Sequence, residues 1–307
     1  IVLETKHIRM ISMTAPHGFR ESQATLKRTA QFSGVGLHTG RTTNVTIHPA
    51  PADTGIRFRR SKGRGQGAEL TADWRHCIDF PRCTMMKASD GAKFQTIEHL
   101  MASFFALEID NAIVEMDAQE VPIMDGSARP IVEALEGGGI QEQDRPRHFR
   151  KISKSITLTD DRISLTIEPH PTFAIDYSLE LPYWNTQRWS GEMPPARFRE
   201  EICFARTYGI LSVIWPALIL GKLRLIPLVR GASLSNALLM YKDRVLNDGG
   251  LKSPDEFLRH RILDLVGDLA LGGGPIIGKV TAFCSNHKHN RALLRAVEER
   301  DALVPAA

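Results

Sequence analysis

A helix-then-strand order occurs twice in this chain, and this repetition constrains the fold more than any other feature. The stretch EHLMASFFALEIDNAIVEM, residues 98–116, and the stretch DLVGDLALGGGPIIGKVTAF, residues 264–283, share that order. Helices and sheets that each have one apolar face must bury those faces against each other. We therefore expect an α+β fold of two similar halves, each an antiparallel sheet with two helices, with the helices packed between the sheets.

The boundaries of the two halves follow from local composition. The charged, proline-containing stretch QEQDRPRHFRK, residues 141–151, is typical of a linker. We expect domain I over residues 24–142 and domain II over residues 150–307. Residues 1–23 lack the continuous apolar core of a secretory signal, and we expect them to form a disordered N-terminal extension.

The stretch EFLRHRILDLVGDL, residues 256–269, carries two stripes of side chains at helical spacing. Its apolar residues mark one buried face, and His260, Asp264 and Asp268 follow one another at four-residue steps along another face. The pattern predicts a helix over residues 254–271. Three residues fit its start: Ser253 at the N-cap, Pro254 at the first helical position and Glu256 as the residue that closes a capping box.

An imidazole and a carboxylate four residues apart on a helix can bind one metal ion, because their side chains project from the same face. The stretch TIEHL, residues 96–100, offers a second imidazole, His99, which lies off the apolar stripe of its own helix. His99, His260 and Asp264 would complete the three-ligand set of a catalytic zinc ion, with Glu98 as the base. Solvated helix faces often carry the same residue types, so that alternative stays open at this point.

Two further histidines lie where catalysis is plausible. The stretch SNHKHN, residues 285–290, follows a predicted strand, and loops at strand ends often carry function. His287 is a candidate general acid, and Asp268 could hold it protonated and oriented. His38 lies between glycines in GVGLHTG, where the backbone can approach a ligand closely. A surface histidine in a polar turn is the alternative for both.

Charge and cysteine content narrow the classes of function. The net charge of +4 mildly favours an anionic ligand, but no dense basic run indicates nucleic-acid binding. The four scattered cysteines indicate reduced thiols, which favours a cytoplasmic protein. The apolar tract of residues 207–229 has a charge-free run shorter than the roughly 18 residues that span a bilayer. Something apolar must nevertheless cover this tract.

Six motifs occur in an order that closely resembles one known family. They are SGVGLHTG, TIEHLMASFFALEIDNAIVE, EVPIMDGSARP, FARTYG, RVLNDGGLKSPDEFLRHRILDLVGDL and SNHKHN. Over roughly residues 25–296 the chain resembles the zinc-dependent UDP-3-O-acyl-N-acetylglucosamine deacetylases of lipid A biosynthesis. The resemblance implies a bacterial cytoplasmic enzyme that removes acetate from UDP-3-O-(3-hydroxyacyl)-N-acetylglucosamine by hydrolysis.

The resemblance also implies roles for single residues. The zinc ligands, for one ion per chain, would be His99, His260 and Asp264. The groups that take part in catalysis would be Glu98 as the carboxylate that activates water, Thr207 as an oxyanion donor, His287 as the general acid and Asp268 as its partner. The substrate contacts would be Tyr208, Arg261 and Cys83. Whether Glu98 performs both proton transfers or shares them with His287 stays open.

The chain departs from the family's usual pattern at several positions. The replacements are Arg261 for a lysine, Tyr208 for a phenylalanine, Asn286 for a glycine and Leu181 for a histidine. The largest departure is the apolar insert of residues 207–230, where family members tend to carry a charged, amphipathic helix. We expect the insert, with Pro216 and Pro227 limiting any helix, to shield the acyl chain at roughly 0.8 kcal/mol per buried methylene. A partly buried interface helix is the alternative.

Two rival functions stay open beside this one. The first is a zinc deacetylase of another N-acetylated sugar nucleotide, and the second is a non-catalytic homologue with an altered insert. As partners we expect a small-molecule substrate and no nucleic acid, with no transmembrane segment and a monomeric chain. Peripheral contact of the insert with a membrane is a further alternative.

Overall fold

The computed structural model describes residues 15–63 and 65–305. Most of the predicted N-terminal extension therefore lies outside the described residues. Its last residues belong to the fold, because Ser22 and Gln23 begin the first strand and Gln23 is buried. The Gln23 amide donates a 2.7 Å hydrogen bond to Asp53. The first strand thus starts two residues before the predicted beginning of domain I at residue 24.

The first half of the chain is built on a five-stranded sheet. The ten strands of this half are β1 (Ser22–Leu26), β2 (Ala30–Val35), β3 (Thr42–Pro49), β4 (Ile56–Arg60), β5 (Glu69–Thr71), β6 (Cys77–Ile78), β7 (Met85–Lys87), β8 (Lys93–Gln95), β9 (Ala112–Met116) and β10 (Ile140–Pro146). The main sheet has the order β2-β3-β9-β4-β5, and β6, β7 and β8 form a smaller sheet. Val45 and Ile47 alternate with more exposed residues along β3, so this sheet turns one apolar face inward.

The second half contains a seven-stranded sheet. The ten strands described in this half are β11 (Arg150–Ile152), β12 (Ile156–Asp160), β13 (Ile163–Glu168), β14 (Phe173–Leu181), β15 (Trp184–Glu192), β16 (Tyr208–Ile210), β17 (Leu238–Tyr241), β18 (Arg244–Val245), β19 (Ile276–Phe283) and β20 (Leu303–Pro305). Strands β16, β17 and β18 form a separate small sheet, and the other seven form the large one.

Six α-helices connect and cover these sheets in the described part of the chain. They are α1 (Glu98–Leu107), α2 (Arg129–Gly138), α3 (Pro195–Glu201), α4 (Leu211–Lys222), α5 (Glu256–Leu269) and α6 (His287–Glu299). Two short 3₁₀ helices cover Trp74–His76 and Ala270–Gly272. None of the helices described is long and apolar enough to cross a membrane.

The two halves share one plan. Strand β9 pairs antiparallel with β3 and parallel with β4, and β19 pairs antiparallel with β13 and parallel with β14. A helix precedes each of these central strands, α1 in the first half and α5 in the second. The predicted α+β fold of two similar halves is confirmed. The sheets are mixed rather than purely antiparallel, because β9 has one parallel partner, β4, and β19 has two, β14 and β11.

Helices α1 and α5 pack directly against each other, and a glycine sets their separation. A Cβ atom placed on Gly267 of α5 would lie 2.1 Å from the carbonyl oxygen of Glu98 on α1. No real side chain tolerates such a distance, so only glycine allows the helices to approach this closely. One helix from each half therefore meets the other at Glu98, in the middle of the molecule.

The start of α5 differs from the prediction. The helix begins at Glu256, and its N-cap is Asp255, which makes no side-chain capping bond. Glu256 is fully buried and accepts hydrogen bonds from the Arg206 guanidinium at 2.8 Å and from the Lys252 amide. The predicted capping box with Ser253 is wrong, because a buried charge pair takes the Glu256 carboxylate instead.

Two stretches predicted as irregular are regular, and the insert is more helical than its prolines indicated. The predicted linker contributes β10, which pairs antiparallel with β1, and β11. The loop predicted at residues 285–290 is mostly the first turn of α6, which begins at His287. The insert contains α4, and Pro216 lies inside this helix rather than limiting it. In each case partners distant in sequence bury the segment's apolar side or pair its backbone, which local composition does not reveal.

Candidate active site

The first turn of α1 presents two adjacent polar side chains to the interior. Glu98 and His99 are the first two residues of this helix, and each is only 3% exposed. Almost every face of α1 is buried, so the position of His99 off the apolar stripe turns it toward α5 rather than toward solvent. The His99 and His260 rings meet edge to face with centroids 5.1 Å apart.

The polar stripe of α5 also faces inward. His260, Asp264 and Asp268 are all buried, and Asp268 is completely inaccessible. A solvated helix face is therefore excluded for these three residues. The α5 helix instead supplies two kinds of group to the interior, an imidazole–carboxylate pair beside His99 and a carboxylate one turn further along.

Three of these side chains form a cluster with metal-binding geometry. One ligand atom from each of His99, His260 and Asp264 lies within 4.8 Å of the other two. The Oδ1 atom of Asp264 is 3.8 Å from Nε2 of His99 and 3.5 Å from Nε2 of His260. Two imidazole nitrogens and one carboxylate oxygen are a common donor set for a catalytic zinc ion.

The second ring nitrogen of His260 supports this assignment. Its Nδ1 lies 3.1 Å from the carbonyl oxygen of Ala205. A carbonyl can only accept, so Nδ1 carries the proton and the Nε2 lone pair points toward the cluster. This outer contact is how proteins orient histidine ligands toward a metal. The donor atoms of the cluster therefore fit a metal ion.

Burial keeps both imidazoles neutral. Loss of solvent, together with the neighbouring His260, lowers the pKa of His99 to about 4. Loss of solvent lowers the pKa of His260 to about 3. Both rings are neutral at neutral pH, and a neutral imidazole offers the lone pair that a metal requires. Burial raises the pKa of Asp264, and the nearby imidazoles and Arg261 oppose that shift.

Glu98 lies beside this cluster with one oxygen held and one free. Its Oε2 accepts a 3.0 Å hydrogen bond from the Thr84 amide, and its Oε1 lies 3.9 Å from Nε2 of His287. Burial raises the pKa of Glu98 to about 8, although the neighbouring His287 pulls it down. A carboxylate with a pKa near neutrality is suited to accept and release a proton.

His287 is the first residue of α6 and faces the same space. Its Nδ1 lies 2.8 Å from Oδ2 of Asp268. Burial alone would lower the pKa of His287, but the carboxylates of Asp268, Glu98 and Asp264 outweigh it and raise the pKa to about 10. The side chain is therefore a buried imidazolium at neutral pH, which is the protonated form that a general acid needs.

Sequence reasoning missed two residues that hold Asp268 in place. The Thr84 hydroxyl donates a short hydrogen bond to Oδ1 of Asp268, and the Asn290 amide donates a 2.9 Å bond to Oδ2. Asn290 lies three residues after His287, so helical spacing could have indicated it. Thr84 has no such local signal, because it reaches Glu98 and Asp268 only through tertiary structure.

Comparison with known proteins agrees with this geometry. Residues 23–299 match the family model for LpxC, UDP-3-O-acyl N-acetylglycosamine deacetylase. The chain belongs to this deacetylase family. A relative named UDP-3-O-acyl-N-acetylglucosamine deacetylase from Phenylobacterium zucineum is 38% identical over 280 residues, which cover 91% of this chain and 94% of the relative. A relative of the same name from Pseudoalteromonas atlantica is 37% identical, and the match covers 91% of this chain and 91% of the relative. Another from Myxococcus xanthus is also 37% identical, and the match covers 90% of this chain and 86% of the relative.

In this member of the deacetylase family, the cluster opens into a cavity of about 850 Å³. Its wall contains both basic and apolar side chains. The basic side chains that line it are Arg82, Lys222, Arg261, Lys288 and Arg291. The apolar side chains contributed by β16 and the insert are Ile210, Val213, Ile214, Leu218 and Val229. A single cavity thus combines a cationic surface with an apolar surface, as an anionic amphiphile would require.

The predicted residues Thr207, Tyr208 and Arg261 all line this cavity. The Arg261 Nε donates a 3.1 Å hydrogen bond to the Tyr208 hydroxyl. The Arg261 guanidinium also lies over the Tyr208 ring, 5.7 Å from its centroid. The phenol and guanidinium, which replace the usual phenylalanine and lysine, therefore position each other. This pairing leaves the planar guanidinium able to present further N–H groups to an anion.

Two other predicted residues have different outcomes. Cys83 has no exposed surface and is not part of the cavity wall, although it adjoins Thr84, whose amide bonds Glu98. The predicted contact of Cys83 with substrate stays a prediction. His38 lines the cavity and is itself buried, and burial lowers its pKa although Glu120 opposes the shift.

Proposed function

We propose that this chain hydrolyses the acetamide of UDP-3-O-acyl-N-acetylglucosamine and releases acetate and the free amine, a step of lipid A biosynthesis. One observation carries the proposal. The ligand atoms of His99, His260 and Asp264 converge within 4.8 Å in the cavity that also receives Glu98 and His287. Family membership over residues 23–299 agrees with this chemistry.

The metal in this proposal is one zinc ion per chain, held by His99, His260 and Asp264. The mixed nitrogen and oxygen donor set favours zinc over magnesium or calcium, which prefer oxygen ligands. A bound zinc ion would polarise the amide carbonyl and make a water molecule more acidic. Because all three ligands come from one chain, the proposed active unit is a monomer.

In this proposal Glu98 and His287 perform the proton transfers. Glu98 takes a proton from the attacking water, since its free oxygen faces the cavity and its pKa is near neutrality. The His287 imidazolium, held by Asp268, stabilises the developing oxyanion together with the Thr207 hydroxyl. The departing amine nitrogen then receives a proton from His287. One water is consumed, and acetate and an amine are formed. Glu98 then gives up the proton that it took and His287 regains one by exchange with solvent, which restores both groups.

The substrate follows from the two surfaces of the cavity. The proposed diphosphate contacts are basic groups of the wall, and Arg261 is one of them. The proposed acyl contacts are apolar groups from the insert, including Ile214 and Leu218. Tyr208 offers a ring face to the sugar. The division into domains at residues 24–142 and 150–307 and the cytoplasmic location stay predictions.

A metal and substrate assay tests the proposal. Protein is stripped of metal with a chelator and zinc is added back, and acetate release is measured from acylated and unacylated UDP-N-acetylglucosamine. We expect activity to return with one zinc ion per chain and to favour the acylated compound strongly. Equal rates on both compounds would favour a deacetylase of another sugar nucleotide, and zinc binding without turnover would favour a non-catalytic homologue.

A matched pair of variants separates the site from the surface. His260→Ala removes a proposed ligand, whereas His289→Ala removes a histidine of α6 that faces Asp160 outside the cavity wall. We expect His260→Ala to lose stoichiometric zinc and activity while His289→Ala keeps both. If His260→Ala retains one tightly bound zinc ion, the proposed ligand set is wrong.

A further inference from the structure

The helix of the insert is apolar on two faces. Ile214, Leu218 and Lys222 follow at four-residue steps and line the cavity. The next row along the helix surface takes no part in the cavity wall. It consists of Trp215, Ile219 and the C-cap residue Leu223, which are 52%, 50% and 64% exposed. We call this second row the outer row of α4. The cavity explains the inner row but leaves the outer row without a role.

Exposed apolar side chains are concentrated around this helix. Of the twelve large apolar side chains that are exposed in the described residues, seven lie between residues 213 and 234. Single exposed apolar residues are common, but a contiguous group of this kind marks a surface that contacts something apolar. Trp215 adds a ring type that is enriched at the boundary between lipid and water.

The charged residues of the chain segment that contains the outer row have one sign. Residues 202–242 contain Arg206, Lys222, Arg224, Arg230 and Lys242 and not one aspartate or glutamate. Arg206 forms an ion pair with the buried Glu256. Within the part of the chain that the structure describes, none of the other four basic groups has a carboxylate partner. Lys222 and Arg224 are exposed at the C-terminal end of α4, beside the outer row.

We propose that the outer row of α4 docks on the surface of an anionic phospholipid bilayer. An apolar row with an interfacial tryptophan and neighbouring unpaired cations has the two components of peripheral lipid binding, acyl-region burial and headgroup attraction. The helix has twelve residues, which are too few to cross a bilayer, so it lies along the bilayer surface in this proposal. The cations at the C-terminal end of α4 have no carboxylate near them in sequence, so the segment is complementary to an anionic surface rather than to a second copy of itself.

The docked orientation places the cavity beside the lipid. Because the inner and outer rows belong to the same helix, a bilayer that covers Trp215 would lie one helix width from the apolar wall at Ile214. An amphiphile could then pass between the bilayer and the cavity with little exposure of its chain to water. The docking surface itself rests on exposure and charge and does not depend on the proposed deacetylase chemistry.

Vesicle binding by the full chain tests this inference. Sedimentation is compared for vesicles of phosphatidylglycerol mixed with phosphatidylcholine and vesicles of phosphatidylcholine alone. We expect binding to the mixed vesicles, a several-fold weaker binding to the neutral ones, and a loss with added salt. Trp215 emission should shift to shorter wavelength on binding, and Trp215→Phe should remove the shift. No metal or substrate is needed, so this test is separable from that of the proposed function.

Three variants locate the contact. Ile219→Ser and Arg224→Gln should each weaken binding to the mixed vesicles several-fold, whereas Val304→Ser, at a 41% exposed apolar position on β20, should leave it unchanged. Circular dichroism checks that each variant is folded. Absence of vesicle binding by the parent chain, or equal losses in all three variants, would overturn the inference. Self-association that Ile219→Ser abolishes, without vesicle binding, would assign the surface to a second copy instead.

Discussion

The Nδ1 nitrogen of His287 lies 2.8 Å from the Oδ2 oxygen of Asp268, and this contact joins the first turn of α6 to the last turns of α5. It also sets the direction of the ring, because the opposite nitrogen, Nε2, is then turned toward Glu98 at 3.9 Å. A buried imidazolium needs such a partner, since an unpaired charge without solvent is strongly disfavoured. The contact thus provides both the protonation state and the orientation of the proposed general acid.

Asp268→Asn should move the alkaline limb of the pH–rate profile to lower pH. Burial opposes protonation of His287, and Asp268 is the largest of the three carboxylate influences that raise its pKa to about 10. Without that carboxylate the pKa falls, the ring loses its proton at a lower pH, and kcat falls on the order of tenfold or more above neutral pH. The measurement is kcat against pH. Asp160→Asn, which removes the exposed partner of His289, should leave the profile unchanged.

Glu98→Gln should reduce kcat by about 10²–10⁴-fold, the usual contribution of a positioned base. The amide keeps the shape of the side chain but does not accept a proton at neutral pH, so zinc content should stay close to that of the parent. Elemental analysis and acetate release measure the two quantities on the same sample. Glu168→Gln, at a half-exposed glutamate of β13, serves as the control. Near-parental turnover in Glu98→Gln would remove this residue from the mechanism.

Gly267→Ala should destabilise the fold and reduce activity together. The new methyl group would lie 2.1 Å from the Glu98 carbonyl oxygen, so α1 and α5 must move apart. Overpacking of this kind costs about 1–3 kcal/mol of unfolding free energy. It also separates His99 from His260 and Asp264. Denaturant unfolding and zinc content report the two effects.

Gly137→Ala is the matched control for that substitution. A Cβ atom on Gly137 in α2 would meet no other atom within 4 Å. The change should therefore stabilise the chain by up to about 1 kcal/mol through helix propensity. If both alanine variants behave alike, close approach of α1 and α5 does not explain the requirement for glycine at position 267.

Thr84→Val should lower kcat and leave the fold largely intact. The hydroxyl donates to Asp268, and its loss leaves a buried carboxylate oxygen without that donor, at a cost of about 1–3 kcal/mol. The Thr84 amide still bonds Glu98, so the base itself stays in place. Thr43→Val is the control, because the fully buried Thr43 hydroxyl has no hydrogen-bond partner in the described structure. A lower kcat with an unchanged KM would indicate lost positioning of Asp268 and would distinguish it from general destabilisation.

Local pattern was a reliable guide to the helices that carry the site. The periodicity predicted a helix over residues 254–271, and α5 begins and ends within two residues of those bounds, because apolar spacing reports directly which face a helix buries. The same reasoning failed where a distant partner decides the outcome. Glu256 suited a capping box in sequence, but the Arg206 guanidinium takes its carboxylate. Residues 141–151 suited a linker, but β1 supplies a strand partner.

Residue types and their spacing were enough to predict the chemical groups of the site and the helical phase that puts His260, Asp264 and Asp268 on one face. The motifs were enough to predict the family. Tertiary structure decided which atoms meet. The contact of Gly267 with Glu98 and the bond of Thr84 to Asp268 join residues that are distant along the chain. The exposure of the outer row of α4 likewise depends on what the rest of the fold leaves uncovered. Tertiary structure also decided the protonation states of the buried groups, because burial and neighbouring charges act through space. Residue spacing along the chain carries no information about burial or about neighbouring charges.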